Sequence, residues 1–162
     1  MKTTQQKIVT SLWFDDNAEE AINFYLSIFN NSRILSLQRY GKAGLGPEGS
    51  IMTISFELED QKFLAINGGP AFKFTEAISL LVNCDSQAEI DALWDKLSAD
   101  GGEESQCGWL KDKYGLSWQI VPARLGEMMQ SDDTEKTQRV MEALLKMSKL
   151  DIDTLEQAYE QT

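Results

Sequence analysis

No histidine occurs among the 162 residues. Its absence removes the commonest general base, the usual Ser-His and Cys-His nucleophile pairs, and the imidazole ligand that zinc, nickel and iron sites favour. Cysteine is scarce as well. Cys84 and Cys107 stand far apart in no metal or redox spacing and read as reduced thiols. Cys107 has only Lys111 and Lys113 near it in sequence to activate it, and it reads as an idle thiol. Basic residues are in deficit, with 15 Lys and Arg against 26 Asp and Glu. The resulting net charge of −11 repels a phosphate backbone, so nucleic acid is not an expected partner. No apolar run approaches the roughly 20 residues that cross a bilayer, so no membrane partner is expected either. Met1 to Thr10 carries Lys2 and Lys7 but neither an apolar core segment nor a small-residue cleavage site. A cytoplasmic protein is the expectation.

What is present is ordinary globular usage, 42% hydrophobic and 25% charged. The chain is long enough to bury a sizeable core without disulfides, and one domain over residues 1–162 is expected. Ile8 to Phe14 is rich in β-branched and aromatic residues and stops at Asp15-Asp16-Asn17, a strand running into a helix cap. From Ala18 to Phe29 the residues Ala21, Phe24, Tyr25 and Ile28 recur at helical spacing and predict one buried stripe. Strands are predicted over Ile34 to Tyr40 and Ser50 to Leu58, joined by a mobile glycine-rich loop, Gly41 to Gly49. Glu59-Asp60 turns into a strand over Lys62 to Asn67.

After Gly68-Gly69-Pro70 the order restarts. A strand over Ala77 to Asn83, a cap at Asp85-Ser86, a helix over Gln87 to Ala99, and strands over Gly108 to Lys113 and Ser117 to Val121 are predicted. Asp16 and Asp85, Glu20 and Glu89, Tyr25 and Trp94, Phe24 and Leu93, and Ile28 and Leu97 all share one offset, 69 positions. A common offset for cap, charged face and apolar stripe is the trace of a duplicated unit. Beyond Pro122, Ser131-Asp132-Asp133 caps a helix with Val140, Leu144 and Met147 on one side, and Asp151 or Asp153 caps a second through Tyr159. These helices pack on their own domain or contribute to a homodimer contact.

A βαβββ unit repeated twice resembles the vicinal oxygen chelate superfamily of glyoxalase I, bleomycin-resistance proteins and extradiol dioxygenases. The stretches Trp13 to Ala21 with Phe24-Tyr25, Asn67 to Pro70, Phe72 to Ser79, and above all Cys107 to Pro122 are similar to its PhnB-like branch, whose label is 3-demethylubiquinone-9 3-methyltransferase domain. The tail, Lys136 to Met147 and Asp151 to Tyr159, also looks familial. The resemblance implies an α+β fold, two βαβββ modules over about 7–69 and 75–122 forming a curved mixed sheet, with a helical extension over 123–162. Methyl transfer from S-adenosylmethionine calls for a glycine-rich turn opening a helix after a first strand, and no such turn is visible.

In metal-using relatives, side chains on the first and last strands of each module chelate one ion. By the resemblance those positions fall on Thr10, near Ala77, on Gln119, and on the Phe63, Ala65, Asn67 face. None is His, Asp or Glu, so no metal and no cofactor is expected. If the strands curl as the resemblance implies, the hollow is lined by Trp13, Arg39, Asn67, Phe72, Trp109 and Gln119, with Tyr40 and Trp118 read as pointing away. Each Trp is also an ordinary core residue, and Arg39 needs an anionic partner, either a protein carboxylate or a ligand. The resulting expectation is a metal-free protein that binds a small organic molecule, as a homodimer. The other reading is an enzyme of the superfamily acting on a small metabolite, with catalytic residues not identified.

Overall fold

The computed structural model describes residues 5–161; the first four residues of the N-terminal stretch read above for a leader lie outside it. Two compact units divide the chain, the first ending at Lys73 and the second beginning at Phe74. In the first, β1 (Thr10–Phe14) ends where Asp15-Asp16-Asn17 interrupts the β-branched and aromatic run, and α1 (Ala18–Ile28) follows. Ala18, Ala21, Ile22 and Tyr25 are the buried residues of α1. The stripe is thus rotated from the expected one: Phe24 and Ile28 are only half-buried, because the two small alanines turn their own side of the helix inward.

Three further strands complete the first sheet: β2 (Arg33–Arg39), β3 (Ile51–Leu58) and β4 (Gln61–Asn67), in the order β1-β4-β3-β2. β1 is parallel to β4, and the other pairings are antiparallel. The β3–β4 turn has positive φ at both Glu59 (48°) and Asp60 (63°), the hairpin geometry that matches strand twist. Pairing register and period-two alternation place Leu12, Phe14, Ile54, Phe56, Phe63 and Ala65 on one face, where all are buried. α1 packs on β3 and β4 there, and the Phe56 and Phe63 rings stack at 5.3 Å. Each large side chain so buried stabilises the unit by roughly 2 kcal/mol. β2 is the edge strand, exposed along its whole length.

The second unit repeats the pattern with β5 (Ser79–Cys84), α2 (Gln87–Ser98), β6 (Glu103–Glu104), β7 (Trp109–Lys111) and β8 (Ser117–Pro122), in the order β5-β8-β7-β6. Again the first and last strands are parallel. The βαβββ motif therefore occurs twice, and the fold is α+β. Tyr25 and Trp94, matched by the sequence offset, are both buried on their helices. Ser86 caps α2: its Oγ accepts from the Glu89 N–H at 3.1 Å, and the Glu89 carboxylate accepts from the Asp85 N–H at 2.8 Å. β6 escapes a propensity reading because it is two glutamates. It is held by pairing with β7 and by the Trp94 indole, which donates to Glu104 at 2.8 Å. Asp112, only 2% exposed, shapes the β7–β8 turn. Its carboxylate accepts from the Tyr114 and Leu116 N–H groups at 2.8 and 3.1 Å and from the Trp118 indole at 2.9 Å.

The tail forms α3 (Leu125–Met129), absent from the sequence reading, then α4 (Thr134–Leu144) and α5 (Ile152–Glu160). Asp133 caps α4, and Asp151 rather than Asp153 caps α5. α4 stops before Met147, which packs from the following turn against a cluster of Val121, Met128, Val140, Leu150 and Leu155. Val121 alternates with Ile120 on β8, so it joins the tail cluster from the face opposite Ile120. The tail is stitched to the rest of the second unit by the N–H groups of Cys107 and Gly108, which donate to Met147 and Ser148 carbonyls at 2.8 Å each. The Gln87 side chain donates to the Leu150 carbonyl at 3.0 Å and accepts from the Ile152 N–H at 2.8 Å. Among the described residues no helix is long and apolar enough to cross a membrane.

Candidate functional site

β1 and β4 end, and β3 begins, at the same end of the first sheet, where β2 also finishes. The side chains that leave those strand ends surround a cleft of about 510 Å³, lined by Asp15, Asp16 and Glu19, by Arg39, Tyr40 and the 45–51 segment, and by Asn67, Gly68 and Gly69. Its size is that of a small-molecule site. One wall is the glycine-rich loop. The loop folds around Tyr40: Tyr40 and Ser50 pair through their backbones at 2.8 Å, and the Gly49 N–H donates to the Tyr40 carbonyl at 2.8 Å. Gly44 and Gly46 lie so close to the Tyr40 ring that a Cβ at either would overlap it. The Tyr40 hydroxyl donates to the Asn67 carbonyl, tying the loop to the end of β4. Tyr40, read as pointing away, is therefore the post on which this wall hangs.

Asn67 is occupied by the fold. Its Oδ1 accepts from the Ala18 N–H at 2.9 Å, and its amide donates to the Ile51 carbonyl at 3.1 Å. Asn17, in the cap position, makes no side-chain cap bond; the start of α1 is satisfied from 49 residues away. Arg39 is exposed and donates to the Gly49 carbonyl at 3.0 Å. Trp13 lies next to the cleft wall, not on it. Its indole donates to the Gly69 carbonyl at 2.9 Å, its ring meets Phe72 edge-on at 4.9 Å, and only a glycine fits beneath it at Gly68. Phe72 is 65% exposed. Of the six residues proposed from sequence, the cleft thus brings together Arg39 and Asn67, with Trp13 and Phe72 bracing the Gly68–Gly69 turn.

Trp109 and Gln119 belong to the second unit, paired opposite each other on the face away from Trp118 and Leu110. Gln119 donates to Ser79 Oγ at 2.9 Å. Trp118 is buried on the α2 side, 2% exposed. Near this face Lys111 sits 2.7 Å from Glu76, which holds the Lys111 ammonium above its ordinary pKa and the Glu76 carboxyl below its own. Cys84 is buried, and desolvation, with Glu89 and Asp85 nearby, pushes its thiol up to about 12.

The positions at which the superfamily would place metal ligands do not suit an ion. Phe63 and Ala65 are buried under α1, on the opposite face from Trp13, so the register expected for a fourth-strand ligand does not hold. Both ends of the Asn67 amide are spent on hydrogen bonds, the Gln119 amide nitrogen donates to Ser79 Oγ, and Thr10 adds only a hydroxyl. Amides and a hydroxyl lack the charge and imidazole that hold zinc, nickel or iron. Among the described residues no three His, Cys, Asp or Glu side chains group as a metal site.

Asp15, Asp16, Glu19 and Tyr40 were missing from the sequence reading of the site. The signal for them was available: acidic residues at the end of the first strand and an aromatic residue at the mouth of a glycine loop.

The family model described as 3-demethylubiquinone-9 3-methyltransferase matches residues 6–121. A putative 3-demethylubiquinone-9 3-methyltransferase, a PhnB protein from Bacillus cereus, is 41% identical over 72% of this chain and 99% of that one, with a TM-score of 0.65. A protein from Pseudomonas aeruginosa shares the fold at 21% identity, covering 73% of this chain and 98% of its own, with a TM-score of 0.60. The fosfomycin resistance protein FosX from Listeria monocytogenes, solved with Mn(II) and sulfate, shares it at 12% identity, over 79% and 98% of the two chains, with a TM-score of 0.53. No curated protein matches. The tail helices read as familial lie beyond the matched residues. By its match to the family model and to the Bacillus cereus protein, this chain belongs to the PhnB-like 3-demethylubiquinone-9 3-methyltransferase family.

Proposed function

We propose that this protein binds a small organic molecule without a chelating metal, and that the cleft of the first unit is where it does so. The observation that carries the reading is the cleft itself: about 510 Å³, walled by a loop folded on Tyr40, with apolar Leu45, Pro47 and Ile51 beside charged Arg39. A few polar groups among apolar walls is how small-molecule sites combine affinity with orientation. Arg39 supplies the polar contact; Asn67, Trp13 and Phe72 hold the wall in shape. Trp109 and Gln119, on the second unit, serve as the comparison. A thermal-shift screen should give compounds whose stabilisation is lost in Arg39→Ala and kept in Trp109→Ala. Stabilisation insensitive to Arg39→Ala would remove the cleft as the site. Stoichiometric divalent metal surviving dialysis would remove the metal-free part.

The family description supports a second reading, methyl transfer. The turn after β1 is Asp15-Asp16-Asn17, without the glycines that let a methyl donor's nucleoside approach a helix start. Titration with S-adenosylmethionine decides this directly, and tight binding favours the enzyme. The protein is further proposed to be a cytoplasmic homodimer. Supporting self-association, the exposed edge strand β2 presents Ile34, Leu35 and Leu37, 36%, 39% and 45% exposed. Light scattering after gel filtration should give twice the chain mass, reduced by Leu37→Lys; a monomer at high concentration refutes it.

A further inference from the structure

The cleft's charges indicate what kind of molecule it takes, an inference that rests on the cleft being a binding site. Asp15, Asp16 and Glu19 gather on one side, around the first turn of α1, and Arg39 comes from β2 on the other. The helix dipole favours carboxylates at that end of α1, which accounts for their standing there without a protein cation. Among the described residues, none of the three carboxylates has an ion-pair or hydrogen-bond partner for its side chain, and the Arg39 side chain is bonded only to the neutral Gly49 carbonyl. Opposite charges therefore line one cavity without neutralising each other. Between them lie apolar surfaces from Leu45, Pro47 and Ile51.

A purely anionic ligand would meet Arg39 but face three carboxylates in a chain of net charge −11. A purely cationic one would leave Arg39 covered and unmatched, which costs a buried charge its solvation. We propose that the cleft takes an amphoteric molecule: an ammonium toward Asp15, Asp16 and Glu19, a carboxylate toward Arg39, and an apolar body between. An apolar amino acid or the end of a short apolar peptide has that chemistry.

The test is a matched series followed in ¹H–¹⁵N spectra of the whole protein: L-phenylalanine, 3-phenylpropionate, which lacks the ammonium, and phenethylamine, which lacks the carboxylate. L-phenylalanine should perturb the amides of residues 40–51 and 67–69 and bind at least about tenfold more tightly than either analogue, the worth of one charge-assisted contact. Arg39→Gln should bring L-phenylalanine down to the level of phenethylamine, and Asp15→Asn with Asp16→Asn down to that of 3-phenylpropionate. Equal affinity for all three compounds, or preference for a singly charged one at the same amides, overturns the amphoteric assignment and leaves the cleft as a binding site. No perturbation of those amides by any of the three, nor by any compound from the thermal-shift screen, overturns both.

Discussion

Asp112 is a buried charge that holds a turn together. Its carboxylate is the acceptor for two backbone N–H groups and one indole inside a turn that water does not reach. Removing it orphans all three donors at once. Asp112→Ala should cost about 3 kcal/mol and lower the melting temperature by about 10 °C, measured by calorimetry; a change under 2 °C would show that the turn holds itself. Cys84 makes a second residue-scale prediction. Its folded pKa, about 12, lies above the ordinary 9.0. A raised folded pKa means that the stability tied to the neutral thiol is complete below about pH 9 and is lost as pH climbs toward 12. The urea midpoint should fall between pH 8 and pH 10.5, and fall less in Cys84→Ala. A thiol reagent at pH 8 should label Cys107 in the folded protein and Cys84 only after unfolding.

At the scale of elements, α1 starts on an amide supplied by the end of β4. Asn67→Ala should destabilise the protein by about 1–2 kcal/mol and raise hydrogen exchange in the first turn of α1 selectively; uniform exchange would refute a cap role. The same residue shows where sequence reading works and where it stops. Strands β1, β3, β4 and β8 and helix α2 were legible to within a residue or two, because period-two and period-3.6 burial and the Ser86 cap are written locally. The cap of α1 was not legible: its donor and acceptor are brought together only when β4 pairs with β1. β6 and α3 were missed for a related reason, being too short to display a period and held by Trp94, Glu104 and the tail core. At the cleft, Arg39 and Asn67 could be named from sequence. Tyr40 could not be placed, since nothing local shows that Gly44 and Gly46 admit its ring.

For the molecule as a whole, the family-matched part ends at residue 121, and the helices that follow do not stand apart from it. Their core begins with Val121, and Gln87 grips the backbone on both sides of Asp151 through one side chain. An appendage that borrows a strand residue for its own interior cannot peel away as a free bundle. Cutting the chain after Pro122 should leave a docking groove on the second unit, with the Cys107 and Gly108 amides bared. A separately made 123–162 peptide, too short to bury its own apolar stripe, should then gain helicity by circular dichroism only when mixed with the shortened protein. Split in this way, the two pieces would work as a reassembling pair, the tail recognising its host through the same stitches that hold it in the intact chain.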